Sequence, residues 1–508
     1  MSRAGFIALA LIALLVGGVF WKVASDRPFF YDEADYMYAG TRGFLNNYLD
    51  RPSISTIDFV LEGLSMVRDR TKNSSKSKEI RSTGDITFYR HYHGPVYAYW
   101  LALCQSMGCT RAADYRASGL IIHGLTALLL FVSFRIAMPE YSVAAAFAAG
   151  LTFLLNRTGL AAATMITQHV MFGLTASLTL LPLALFCRTK EKKYWYLATA
   201  ALGIAFSTVE TSFILVGAVI LVVLIVALPD GWRPLPGLLG RGVLSFLAGV
   251  LVVWPKGVIQ LGALRGYLYL AYMAAVRKTF APIGPAALWS FKIRTYPEEF
   301  VIPLVSLVLL TIYWRRLAAR HAALPYIAFT WMFGCATLVV TLPYTYYLDA
   351  LLAAAAVVTG VAFGEVWRRG RRAGAAASVV LMASLVFMAV RYRHEAILQR
   401  DAREPRTALL GRLRSGAAGR TLFVPSELVP TLHFYLPELA TTGYDGTWNT
   451  ARLADTLNAL PQAELLCERA VCDAVSPLTH LAQAEKEPLM EADVELATSP
   501  LYLFAPSR

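Results

Sequence analysis

Apolar runs too long for a strand and nearly free of charge, such as Phe6–Phe20 and Ala350–Ala362, decide first what this chain can become. About 20 helical residues cross the ~30 Å hydrocarbon layer of a bilayer, where only helices or closed barrels satisfy every backbone polar group. Apolar residues make up 56% of the 508 and charged residues only 16%, against roughly 45–50% and 25% in soluble domains. Mean hydropathy is +0.50. A soluble enzyme, a disordered chain, a collagen-like repeat and a disulfide-built miniprotein are excluded. The pattern predicts a polytopic α-helical membrane protein.

Eleven spans are predicted, near 5–24, 116–137, 141–156, 169–187, 194–209, 211–228, 240–254, 299–314, 324–342, 346–365 and 374–390. The first follows Arg3 and carries Lys22 where a cleavage site would place a small residue, so it is expected to stay as an anchor with its N-terminus cytoplasmic. The excess of 47 Lys and Arg over 34 Asp and Glu needs no nucleic-acid partner. Much of it abuts apolar runs: Arg188, Lys190, Lys192 and Lys193; Arg315, Arg316 and Arg320; Arg368, Arg369, Arg371 and Arg372. Counting spans from the first puts all three clusters inside, where the positive-inside rule expects them. The stretch 257–276, broken by Arg265, is expected to lie in the interface; were it to span, everything after it would flip.

On this topology the outer face carries a loop over 25–116, a connection over 255–298 and a tail over 391–508. The tail lacks any long apolar run. Strand-like segments Thr421–Pro425, Glu464–Cys467 and Tyr502–Pro506 flank a helical stretch Thr450–Leu460, which predicts a small extracytoplasmic α/β domain. Residues 1–390 form the transmembrane part. Cys104 and Cys109, and separately Cys467 and Cys472, are spaced for a disulfide outside, with unpaired thiols equally consistent.

Polar residues near the membrane concentrate at the outer ends of the spans. The acidic pair Asp32 and Glu33 follows the first span between tyrosines and could act as a base, a metal ligand or a cation site. It could equally meet the positive end of a helix over Ala34–Phe44. Arg90, His91 and His93 close the first loop before Gly94-Pro95, whose extended backbone would turn both imidazoles the same way. Glu210, Lys256, Tyr344 and Tyr347 recur at other outer ends, where Tyr and Pro are also common headgroup-level anchors.

An Asp-Glu pair directly after the first span, with His93-Gly94-Pro95-Val96-Tyr97-Ala98-Tyr99-Trp100 closing the loop, resembles the membrane-embedded GT-C glycosyltransferases. The likeness is to the protein O-mannosyltransferase and lipid A aminoarabinose-transferase branch. Leu342-Pro343-Tyr344-Thr345-Tyr346-Tyr347-Leu348 is similar to that branch's Arg-Tyr-Leu-Leu-Pro segment, without its arginine. Gly94 stands where the branch has the first of two prolines, and Val209-Glu210-Thr211 replaces its Thr-Lys-Gly-like turn.

The resemblance implies a sugar donor on a polyprenyl phosphate and an acceptor hydroxyl on a lipid, glycan or protein. It implies a site on the outer face of the inner (plasma) membrane, no nucleotide loop and no required cofactor, with a divalent metal left open. It casts Asp32 as the base and Glu33 as its support. Arg90, His91, His93, Tyr344, Tyr347 and Glu210 would line the substrate, and Lys256 would stabilise the departing phosphate, with Arg265, Arg277, Lys278, Lys292 and Arg294 in reserve, although the charges of this connection could equally bind anionic lipid headgroups. A secondary transporter and a non-catalytic subunit handling lipid-linked glycans are the competing readings; the first would be expected to show internal repeats.

Overall fold

The computed structural model describes residues 3–24, 29, 31–41, 43–45, 94–227, 231–259, 290, 293–295, 297–313, 349–401, 404–414, 419–425, 428–444, 449–492 and 499–506, with isolated positions between 315 and 334. Arg90, His91, His93, Tyr344 and Tyr347 lie outside the described residues, as do most of 257–276 and of the span expected at 324–342.

The long helices are α1 (Arg3–Ala24), α2 (Tyr31–Thr41), α3 (Val96–Ser106), α4 (Ala112–Ala137), α5 (Val143–Leu154), α6 (Arg157–Ala163), α7 (Gln168–Thr189), α8 (Lys192–Phe206), α9 (Phe213–Ala227) and α10 (Leu235–Val253). They are followed by the short α11 (Pro255–Ile259), then α12 (Pro297–Ile312), α13 (Asp349–Arg369) and α14 (Arg371–Asp401). Among the described residues five helices are long and apolar enough to cross a membrane, and α5 with α6, bent by 57° where they meet, has the apolar character of a broken span or a re-entrant loop. The stretch expected to span at 141–156 corresponds to α5, and the apolar chain continues past it into α6. Asn156 causes the break locally: its side chain caps the new helix by accepting from the Gly159 N–H at 3.2 Å.

Short turns join α4 to α5, α7 to α8 and α13 to α14, which makes those neighbours antiparallel. The basic groups meet at the end of the bundle these turns define. Arg188 Nη1 donates to the Ile136 carbonyl at 2.8 Å and Arg368 Nη2 to that of Glu140 at 3.3 Å. Parity counting and the folded chain therefore agree that the clusters Arg188–Lys193 and Arg368–Arg372 share one side.

Helix α14 runs eleven residues beyond the span end expected at 390, so a boundary at 391 falls within a helix. Its last turns are held by long-range partners. Arg391 Nη1 pairs with Glu298 at 2.9 Å, Arg157 Nε donates to Glu395 at 2.8 Å, and the Tyr392 hydroxyl meets that of Thr164. Tyr392 also stacks on Phe20 at 5.8 Å.

After α15 (Glu404–Arg414) the chain forms a five-stranded sheet of β1 (Thr421–Pro425), β2 (Ala440–Tyr444), β3 (Ala463–Glu468), β4 (Leu481–Gln483) and β5 (Leu501–Pro506), ordered β2-β1-β3-β5-β4. The first three strands are parallel and β5 runs antiparallel to both neighbours. Helices α16 (Val429–Tyr435) and α17 (Thr450–Asn458) make the parallel crossovers. The three strand segments expected from sequence lie within this sheet. Cys467 and Cys472 are bonded, whereas Cys104 and Cys109 are free thiols.

Helices α8 and α10 meet backbone to backbone at glycine. A Cβ on Gly203 would stand 2.3 Å from the Phe246 carbonyl oxygen, and one on Gly249 2.2 Å from that of Ala200. Small residues of this kind let membrane helices approach closely. Gly203→Val or Gly249→Val is expected to cost about 1–3 kcal/mol, towards the upper end because backbone cannot yield. Gly17→Val, where a Cβ meets nothing within 4 Å, should be close to neutral. Thermal unfolding in detergent compares the three.

Candidate functional site

The end of the bundle opposite the basic turns is organised around Glu33, a fully buried carboxylate. An ion in such a place persists only if another charge and hydrogen bonds replace its water. Arg116, in the first turns of α4 and equally buried, provides the charge as a two-pronged pair: Nε to Oε1 at 3.0 Å and Nη2 to Oε2 at 2.7 Å. The Ile166 backbone N–H, in the turn between α6 and α7, donates to Oε1 at 3.0 Å. One carboxylate thus ties α2 to α4 and to the α6–α7 turn.

The guanidinium lies 5.7 Å from the centre of the Phe29 ring, which also meets Phe434 at 4.5 Å and Tyr435 at 5.0 Å on α16. The Phe29 carbonyl accepts from buried Arg406 Nη1 at 2.7 Å. The elements after α14 therefore close directly over the segment that leads into α2.

Helix α3 is the bridge to the rest of this end. Tyr36 meets Tyr97 edge-on at 5.9 Å, and a Cβ on Gly40 would fall 2.5 Å from that of Leu101, so α2 and α3 pack in close contact. Tyr97 is buried beside Glu33; burial first, and the nearby carboxylate second, push its phenol well above the usual range and keep it protonated. The Tyr99 hydroxyl donates to the Val253 carbonyl at 2.7 Å, three residues before Lys256 on α11. The Asp32 and Glu33 backbone and Lys256 accordingly sit at the same end of the bundle, joined through one helix.

Gly94 has a steric reason to stand where the resembling branch has proline. A Cβ there would lie 1.8 Å from the Ser207 carbonyl oxygen, and the Val96 N–H reaches the same oxygen at 3.4 Å. The close of the first loop is thus seated on the turn after α8, next to the 3₁₀ turn Glu210–Ser212. The side chains of Asp32 and Glu210 lie outside the described residues, although both backbones are described. Of the predicted set, the structure describes the side chains of Glu33 and Lys256.

Among the described residues no three His, Cys, Asp or Glu side chains come together as metal ligands. Glu33, the described member of the pair, already has its charge matched by Arg116. Sequence reasoning overlooked Arg116, which marked only the end of a loop, because its partner is 83 residues away. The chain Arg157–Glu395–Arg391–Glu298 escaped for the same reason. The one local signal was an arginine at the start of an apolar span, a costly place for an unpaired charge.

Breaking a buried pair strands the surviving charge, at about 3–5 kcal/mol. Glu33→Gln and Arg116→Met should each lose about that much stability, and the double variant clearly less than their sum. A double-mutant cycle on unfolding in detergent measures the coupling, and additive losses would contradict a direct pair.

No protein-family model and no curated protein sequence matches the chain; the likeness is structural. ArnT of Cupriavidus metallidurans bound to undecaprenyl phosphate superposes with a TM-score of 0.61 at 14% identity, over 99% of this chain and 98% of that one. Its apo form gives 0.57 at 14% identity over the same shares. An Archaeoglobus fulgidus oligosaccharyltransferase in complex with Zn and sulfate gives 0.50 at 13% identity, over 97% of this chain and 70% of that one. With its apolar helices and end-to-end correspondence to these structures, the chain is a multi-pass membrane protein that shares their fold.

Proposed function

We propose that the protein is a glycosyltransferase that moves a sugar from a polyprenyl-phosphate donor to an acceptor hydroxyl at the extracytoplasmic face. The observation carrying this reading is the Glu33–Arg116 pair, which fixes the α2 backbone, Asp32 included, at the end of the bundle that also holds Lys256. The full-length likeness to a protein that binds undecaprenyl phosphate supports the donor class. Residues 1–390 would supply the catalytic part, and the sheet-bearing segment would cover it from outside.

The reaction is a direct displacement. The Asp32 carboxylate takes the proton of the acceptor hydroxyl as its oxygen bonds to the anomeric carbon, and the carbon–oxygen bond to phosphate breaks with its electron pair leaving on the polyprenyl phosphate. The configuration at that carbon inverts. Lys256 offsets the charge gathering on the departing phosphate. Arg90, His91, His93, Glu210, Tyr344 and Tyr347 would position the sugar and the phosphate. Glu33 has a different task from its neighbour: ion-paired and buried, it holds the base's backbone in place. No step needs a metal.

Asp32→Asn should lower transfer by about 10²–10⁴-fold, the usual worth of a general base, with unchanged unfolding temperature. The assay is reconstitution in proteoliposomes with labelled polyprenyl-phosphate sugars and an acceptor mixture. Undiminished transfer in Asp32→Asn would remove Asp32 from the chemistry. Solute uptake insensitive to Asp32→Asn, without sugar transfer, would favour the transporter reading instead.

A further inference from the structure

A cavity of about 260 Å³ opens at the basic end of the bundle, away from Glu33. It lies among the C-terminal ends of α7 and α9 and the N-terminal ends of α8 and α10. Its lining divides into two parts. Lys190, Lys192, Arg241 and Tyr196 are its polar residues, and Phe186, Val226, Ala227, Pro234 and Leu238 its apolar ones.

The wall is braced. Trp195 Nε1 donates to the Leu238 carbonyl at 2.9 Å, Ser245 Oγ to that of Tyr196 at 2.8 Å, and Arg241 Nη1 reaches the Tyr196 hydroxyl at 3.4 Å. Glu191, the acid nearest in sequence, does not line the cavity and is paired with Lys193 at 2.5 Å.

A second, independent observation concerns the backbone. Lys190 ends α7 at φ 55, in the left-handed region, and among the described residues no other non-glycine has a positive φ. Glycine or asparagine usually occupies that position, since a Cβ costs energy there. A lysine in that conformation, lining the cavity, places a charge where backbone strain is tolerated, as is common at functional sites.

We propose that this cavity binds the phosphate of an anionic membrane lipid, with its acyl chains leaving along the apolar wall. Three basic residues lining a small cavity suit a phosphate, and the apolar residues that share the lining suit an amphiphile better than a free ion. The volume suits a headgroup of phosphate and glycerol size; drug-sized ligands generally occupy ~300–1,000 Å³. The location at the ends of four helices matches the depth of lipid headgroups. Binding there would staple α7 and α8 to α10 from the side opposite the proposed chemistry.

The test uses the full-length protein in phosphatidylcholine nanodiscs carrying a photoreactive phosphatidylglycerol, with crosslinked peptides mapped by mass spectrometry. Wild type should label within 186–196 and 234–241. Lys190→Gly, which suits the left-handed backbone, and the exposed Arg241→Gln should each reduce that labelling by roughly fivefold, the expected effect of one basic charge at a membrane surface. Lys193→Gln, outside the cavity, should leave it unchanged. Labelling equal in wild type and both variants, or equal with a photoreactive phosphatidylcholine, would overturn the proposal. Loss of labelling in the presence of millimolar inorganic phosphate would also overturn it, by showing a soluble-anion site.

Discussion

The Glu33–Arg116 pair is the constraint on which this architecture turns. Moving either charge out of water costs several kcal/mol, and their attraction restores that only when geometry is close and the other hydrogen bonds are met. Here the carboxylate meets two guanidinium nitrogens and a backbone N–H, within 3.0 Å in every case. It is the α2 end of a joint with α4 and the α6–α7 turn. The consequence is positional: a short helix carrying three carboxylates among its eleven residues gains a fixed seat at one end of an apolar bundle.

Packing then spreads from that joint by contact. Phe29 lies against the guanidinium and under α16, so the sheet-bearing part of the chain is registered on the bundle through the same arginine. Helix α3 extends the order sideways, through Tyr97 to α2 and through Tyr99 to the end of α10. On the far edge of this end, Arg157, Glu395, Arg391 and Glu298 link α6, α14 and α12. Each of these charged groups is matched by another from a distant part of the chain.

Much of this fold can be read without coordinates. Apolar runs announce helices, because nothing else shields the backbone in hydrocarbon. Two of the basic clusters flanking them gather at one end of the bundle, as the Arg188–Ile136 and Arg368–Glu140 contacts show. The segments Thr421–Pro425, Glu464–Cys467 and Tyr502–Pro506 fall within strands of one sheet. These signals are local: hydropathy, charge and β-propensity act within one or two turns. At 14% identity the ArnT fold is nevertheless retained along the whole chain, as expected when such local patterns, rather than particular residues, specify a membrane bundle.

The sequence by itself determined that this chain enters a membrane as many helices, which ends of them carry positive charge, and that acidic residues wait just past the first span. Only the tertiary structure decided which acid is spent on holding the bundle: Glu33 is committed to an arginine 83 residues on. It likewise decided that Gly94 must lack a side chain, because the Ser207 carbonyl occupies the place of a Cβ, and that α14 continues into a network with α6 and α12. The physical reason is the same in each case. Transfer from water to hydrocarbon is a property of neighbouring residues along the chain, whereas a buried charge or a backbone contact takes its energy from a partner that only folding brings near.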